Sequence, residues 1–352
     1  MKTGQTSRSR KRAAAPGSGK DKMNYMKLLY VGALSAVVCL VPLCVAPVLS
    51  AQKAAAADQK VAPPTPAEPA GESDDPTRIV LDVTRVNVLF TVTDKKGRFV
   101  TDLTKTDFDV IENKKSQVIQ QFTAESDLPL RLAVLVDTSN SIREQFRFEQ
   151  QAAIRFMQSV MRPKEDRIML VSFDSTAELV SDLSNDMKTL EQGVKNMRPG
   201  GGTALYDAIY FACKEKLMMD QPRDKFRRAM VVISDGNDTE SRVSRDQALE
   251  MAQRADVVVY AISTNITRDD NDGDKVLRYL TEETGGQAFF PFKIEDLDQS
   301  FENIANELRH QYNIFYRPEP LKTDGLFHPV TVKPKRKDLV VRARKGYYAP
   351  RL

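Results

Sequence analysis

Five short apolar runs, at residues 131–136, 168–173, 229–234, 257–262 and 287–292, alternate with stretches whose apolar residues recur at helical spacing. Strands that alternate with helices and are apolar on both faces bury those faces only in a mostly parallel sheet covered by helices on either side. The helical stretches fall at 143–161, 186–197, 204–219, 245–255, 273–284 and 294–309. In the first, Phe146, Ala153, Phe156, Met157 and Val160 share one face. The fourth opens with the capping box Ser244-Arg245-Asp246-Gln247. Residues 128–310 therefore read as one doubly wound α/β domain.

The flanks follow a different period. From Ile79, the residues Val83, Val86, Val88, Phe90 and Val92 are separated by polar ones, and Asp94-Lys95-Lys96-Gly97 supplies a hairpin turn. Further short β-type bursts follow through Phe122. A β module over residues 79–127 is too small to stand alone. Strand patterns return at Tyr312–Tyr316, Val330–Val332 and Leu339–Arg344. The segment 311–352 is therefore expected to cross back and complete a small β-sandwich-like module from N- and C-terminal strands.

Charge is unevenly placed. Residues 1–27 carry eight Lys or Arg against Asp21 alone, about +7 of the chain's net +4, which leaves the remainder near −3. The basic excess precedes an apolar run, Leu28–Leu49, and such a pairing reads as an export signal or a membrane anchor rather than a nucleic-acid surface. Residues 28–50 are thus a signal peptide or a membrane anchor, and residues 1–27 its basic cytoplasmic n-region. Residues 51–78, rich in Ala and Pro, form a linker that cannot bury enough apolar surface to fold. The domains beyond it are expected outside the cytoplasmic membrane, periplasmic or extracellular. Cys39 and Cys44 lie in the apolar run, and neither follows the small residue that a lipoprotein signal wants. The remaining Cys213 has no cysteine to pair with in the exported part, and reads as a small buried hydrophobe.

Asp137-Thr138-Ser139-Asn140-Ser141 directly follows the run Leu132–Val136, so a carboxylate and two hydroxyls leave a buried strand at two-residue spacing. In open α/β sheets, ligands collect at the carboxyl ends of strands. Gly200-Gly201-Gly202-Thr203 precedes a helix and adds a hydroxyl where glycines allow close backbone approach. Ile233-Ser234-Asp235-Gly236 puts a second carboxylate at the end of another apolar strand. Asp137, Ser139, Ser141, Thr203 and Asp235 together make an oxygen-only set, suited to Mg²⁺, Ca²⁺ or Mn²⁺.

These five residues resemble the metal-ion-dependent adhesion site of the von Willebrand factor type A domain: the DxSxS loop at Asp137, Ser139 and Ser141, the threonine at Thr203, and the aspartate at Asp235. The resemblance implies direct ligation by Ser139, Ser141 and Thr203, with Asp137 and Asp235 acting through water. The flanks, including Asp107–Glu112 and Arg344-Lys345-Gly346-Tyr347-Tyr348, resemble exported bacterial proteins with a von Willebrand-related domain, many of them acidobacterial. That bacterial family supplies a fold and a site but no partner. The chemistry adds an expectation, since a cation with few charged direct ligands stays electrophilic and can accept a carboxylate. A non-enzymatic adhesion or binding protein is expected, whose cation coordinates an acidic residue of a protein partner, while the placement of charge argues against a nucleic-acid partner.

Two other readings compete. One is an envelope scaffold whose metal site is structural or unused. The other is a metal-dependent hydrolase or phosphotransferase, but aspartate-based phosphotransferases resemble a DxD pattern and Ser139 stands at the third position here. His310 and His328, the chain's two histidines, are far in sequence from the metal loops, against histidine catalysis or a histidine-bound zinc. Other features read as structural. Asp269–Asp274 fails the EF-hand spacing, since Arg268 and Tyr279 would stand at its first and twelfth positions. The basic residues from Lys333 to Lys345 suit a solvated strand face, and Gly285-Gly286 a helix stop.

Overall fold

A computed structural model describes residues 85–124, 128–144, 146–222, 225–265, 271–291 and 294–351. The basic segment, the apolar run 28–50 and the linker lie outside the described residues, and no helix among those described is long and apolar enough to cross a membrane.

Four strands come first: β1 (Val86–Asp94), β2 (Phe108–Glu112), β3 (Lys115–Gln117) and β4 (Ile119–Ala124). The α/β layer follows, with β5 (Leu130–Asp137), α1 (Phe146–Val160), β6 (Arg167–Phe173), β7 (Ala177–Ser184), α2 (Met187–Asn196), α3 (Leu205–Phe211), β8 (Arg227–Ser234), α4 (Arg245–Arg254), β9 (Val257–Ser263), α5 (Asp272–Thr284), β10 (Ala288–Phe289) and α6 (Ile294–Arg309). The chain closes with β11 (Gln311–Tyr316), β12 (Phe327–Pro334), β13 (Leu339–Ala343) and β14 (Gly346–Tyr348).

The central sheet has the order β10-β9-β8-β5-β6-β7, parallel except for β7. Every residue of β5 is buried, as a strand covered on both faces must be. Leu132, Val134 and Val136 face a core shared with α1, α2 and α6, whereas Ala133 and Leu135 face α3, α4 and α5. After β5 the chain leaves toward one face through α1, and after β8 toward the other through α4. The carboxyl ends of these neighbouring strands thus form a topological switch point, the crevice where such sheets bind ligands.

The expected mostly parallel doubly wound sheet is present, and the antiparallel flanking sheets are built from N- and C-terminal strands. One has the order β13-β1-β11-β4 and the other β14-β12-β2-β3. They enclose a core of Val88, Phe90, Phe108, Val110, Tyr312, Ile314 and Tyr316 among others, with Phe90 at 5.1 Å from the Phe108 ring and 5.6 Å from Tyr312.

Several details differ from the sequence reading. β7 was not expected; its edge position leaves it half-exposed, so its apolar residues do not form a continuous run. The strand expected at 287–292 contracts to β10, Ala288–Phe289. The helix expected over 204–219 is α-helical only through Phe211 and continues as a π-helix over Ala212–Leu217. A 3₁₀ turn at Asn140–Ile142 delays α1. The Asp94–Gly97 turn forms, with Gly97 at positive φ, but its return arm pairs through a single Thr93–Phe99 bridge.

The sandwich meets the α/β layer through a buried polar knot. Glu307 of α6 is ion-paired with Arg342 of β13, and its Oε1 accepts hydrogen bonds from Tyr260 of β9 at 3.1 Å and Thr91 of β1 at 3.4 Å. Burial holds the Glu307 carboxyl above the usual carboxylate range despite the Arg342 guanidinium. Helix α6 itself runs into β11 with only His310 between them.

Candidate metal centre

Asp137 ends β5 with its side chain fully buried. Its Oδ1 accepts from the Ser139 amide at 2.9 Å, which curls the loop back on the strand end. The Ser139 and Ser141 hydroxyls lie 2.8 Å apart. Ser139 is buried and Ser141 exposed, so the serine pair runs from the interior to solvent. The structure thereby joins three of the five residues singled out in the sequence into one cluster.

The glycine loop is stitched against it. The Gly200 amide donates to the Thr138 carbonyl at 2.7 Å, and the Asn140 amide to the Gly201 carbonyl at 3.2 Å. Gly201 adopts φ +69°, and a Cβ there would meet Ser175 Oγ at 2.8 Å, an arrangement that suits glycine. Thr203 is buried and held by its backbone: its N–H donates to Thr239 Oγ1 at 3.0 Å, and its carbonyl accepts from the Thr239 and Glu240 amides.

Asp235 follows β8, half-buried, with Oδ1 accepting from the Asn237 amide at 3.0 Å. Its loop is fixed by a backbone collision zone: a Cβ on Gly236, at φ +81°, would strike the Gly273 carbonyl at the start of α5. The glycine loop that leads to Thr203 thus borders the cluster. Among the contacts of the described residues, neither the Thr203 nor the Asp235 side chain bonds to the serine pair's hydroxyls, so the structure ties them to the cluster through their neighbours alone.

Two residues were missed by the sequence reading. Ser234, the last residue of β8, donates to Asp137 Oδ2 at 2.6 Å and accepts from the Gly236 amide at 3.0 Å, so it links the two carboxylate-bearing strand ends. Glu149 of α1 is fully buried, and the charges of Asp137 and Asp235 act on it. It falls between Phe146 and Ala153 on the helix's core stripe, an acidic residue where the 3.6-residue period demands an apolar one.

Electrostatics favour a cation. Burial pushes Asp137 up to about 6, and the like charge of Asp235 adds to it, while hydrogen bonds from Ser234 and Ser139 pull it down. Burial, reinforced by Asp137 and Asp235, also holds Glu149 well above the carboxylate range. Like charges gathered in a low-dielectric crevice are stabilised by a positive ion. Among the described residues no group of three or more His, Cys, Asp and Glu could hold a metal. The donors here are two carboxylates and three hydroxyls, and an all-oxygen set fits hard divalent cations better than zinc. Beside the loop a cavity of about 310 Å³ opens, lined by Thr138, Asp174, Thr176, Glu178, Asn196 and Arg198 among others.

The family model of the von Willebrand factor type A domain matches residues 132–307. The chain belongs to that family. Among solved structures it is similar to the conserved hypothetical protein BatB from Bacteroides thetaiotaomicron, at 16% identity and a TM-score of 0.41, covering 51% of this chain and 98% of that one. A von Willebrand factor type A protein from Catenulispora acidiphila is 12% identical over 73% of this chain and 72% of its own, with a TM-score of 0.45. Proximal thread matrix protein 1 from the mussel byssus, whose structure has a zinc-occupied MIDAS motif, is 16% identical with a TM-score of 0.44, covering 56% and 49%. No curated protein matches the chain.

Proposed function

We propose that this chain is an exported, non-enzymatic binding protein that holds Mg²⁺, or Ca²⁺ or Mn²⁺, with Asp137, Ser139, Ser141, Thr203 and Asp235 and offers it to an acidic residue of a partner protein. The carrying observation is the Ser139–Ser141 hydroxyl pair, set over the buried Asp137 and running out to solvent at the sheet's switch point. A cation bound mainly by neutral hydroxyls stays electrophilic, and Mg²⁺ keeps exchangeable water positions, so a carboxylate can enter its coordination sphere. The adjacent cavity gives the residues flanking that carboxylate a place to lie.

The cysteine and the two histidines of the described residues lie elsewhere, which supports binding over catalysis. Cys213 is buried, His310 stacks on Phe99, and His328 is bonded to Asn113 and Asp324 within the sandwich. Residues 28–50 supply export, and anchor the chain to the membrane if uncleaved; nucleic acid has no place in this reading, since the segment beyond residue 27 is mildly acidic.

The test is affinity capture from envelope extract with the full chain immobilised, in Mg²⁺, in EDTA, and with Asp137→Ala. A protein retained only by the unaltered chain in Mg²⁺ is the expected result. Identical captures in all three arms would refute the cation bridge and leave a scaffold that binds through other surfaces.

A further inference from the structure

Glu149 has both carboxylate oxygens buried without a hydrogen-bond partner. A buried carboxyl with no donor is among the least tolerable groups in a protein core, and its survival calls for a ligand. Its surroundings are specific. The charges it feels are those of Asp137 and Asp235, the two carboxylates of the cation site. The Thr264 hydroxyl also acts on it but falls short of hydrogen-bond geometry, and is likewise buried with no partner. Thr264 is fixed in place by its amide, which donates to the Ser234 carbonyl at 3.1 Å, one residue before Asp235.

Three unsatisfied oxygens, Glu149 Oε1 and Oε2 and Thr264 Oγ1, therefore gather on the inner side of the cation site. Asp137 has already committed its two oxygens to Ser139 and Ser234. We propose that Glu149 is a further carboxylate of the cation site, acting with Thr264 from the buried side through water held by the ion. This rests on the cation reading above and adds to it a residue outside the adhesion-site pattern. Ion-bound water supplies the donors that both carboxylate oxygens lack, so the group that is unsatisfied in the free protein becomes satisfied on loading.

The test uses the full chain in detergent, titrated with MgCl₂ by calorimetry, alongside Glu149→Gln and Thr264→Val. Both substitutions keep side-chain volume. Outer-shell partners of a metal affect affinity by about 10–100-fold, so Glu149→Gln should weaken Mg²⁺ binding about tenfold or more and Thr264→Val should shift it in the same direction. The unfolding midpoint in EDTA should be unchanged or higher for Glu149→Gln, because the substitution removes a buried ionisable group. A purely structural Glu149 would instead lower that midpoint and leave the affinity within about twofold, which would overturn the proposal while the cation site stands. Absence of saturable Mg²⁺ binding by the unaltered chain would sink the cation reading and this proposal with it. If Glu149→Gln does not fold, Thr264→Val decides: weaker binding supports the assignment and unchanged binding refutes it.

Discussion

Replacing Arg342 by Met isolates the knot that joins the sandwich to the α/β layer. Arg342 is the cation paired with Glu307, whose side chain is 3% exposed. Removing the partner of a buried charge costs more than the pair was worth, because the remaining charge keeps its desolvation penalty. The carboxyl escapes by taking a proton, so the cost is bounded by the work of protonation. That work is about 1.4 kcal/mol for each pH unit above the ordinary value of 4.5. At pH 7.5 the ceiling is about 4 kcal/mol, and because burial already raises Glu307 in the unaltered protein, we expect a loss of about 2–4 kcal/mol. The sign follows from linkage: a carboxyl raised in the folded state destabilises it increasingly as pH climbs above the unfolded value. At pH 5 the loss should fall below about 1 kcal/mol. The chain has no tryptophan, so urea unfolding is followed by far-UV circular dichroism. Arg342→Met combined with Glu307→Leu should recover most of the stability at pH 7.5. An equal loss at both pH values, or less than about 1 kcal/mol at pH 7.5, would show that Glu307 is not held as a desolvated charge.

Three further outcomes are expected. Ser234→Ala removes a charged hydrogen bond to Asp137, and should cost about 1.5–3 kcal/mol in urea unfolding and weaken Mg²⁺ about tenfold by calorimetry; an unchanged affinity would remove Ser234 from the site. With Asp137 raised to about 6, Mg²⁺ affinity should be flat above pH 7 and fall about tenfold per unit below 6 as the proton competes; in EDTA, the same shift should lower stability by about 3 kcal/mol as pH rises from about 4 to beyond 6, and profiles level across that range would contradict both statements. Gly236→Ala forces a Cβ into the Gly273 carbonyl at positive φ, so it should cost more than 1 kcal/mol and displace the Asp235 loop; wild-type Mg²⁺ affinity in this variant would refute the tight packing of these loops.

How far the chain could be read depended on whether a signal was local. Runs such as Val231–Ile233 announce fully buried strands because apolar side chains are needed on both faces, and the Ser244 capping box appears as expected, with the Gln247 amide donating to the serine hydroxyl at 3.2 Å. β7 left no such run, since an edge strand buries only part of one face and its pairing with β6 shifts register twice. Asp137, Ser139 and Ser141 stand out because strand and loop are contiguous. The structure bonds Asp137 to Ser234 across 97 residues, a link that no spacing could reveal. Glu149 had a visible clue, an acid on the apolar stripe of its helix, but a run of Glu-Gln-Gln also reads as a solvated face. Its meaning needed the sheet's carboxyl edge to be assembled beneath it.

The order β13-β1-β11-β4 makes completion of the sandwich a late event in the life of each molecule. Val86 of β1 pairs with Tyr316 of β11, and Phe90 with Ala343 of β13. During synthesis, β1 therefore emerges long before either neighbour exists, while the α/β layer can assemble from segments that arrive in turn. Until then Val86, Val88, Phe90 and Val92 form an unpaired apolar ridge of the kind that templates self-association. A chain cut short after α6 would keep every residue of the metal centre and yet carry that open ridge, so loss of solubility, rather than loss of cation binding, is the failure to which nonsense mutations between α6 and β13 would expose the cell.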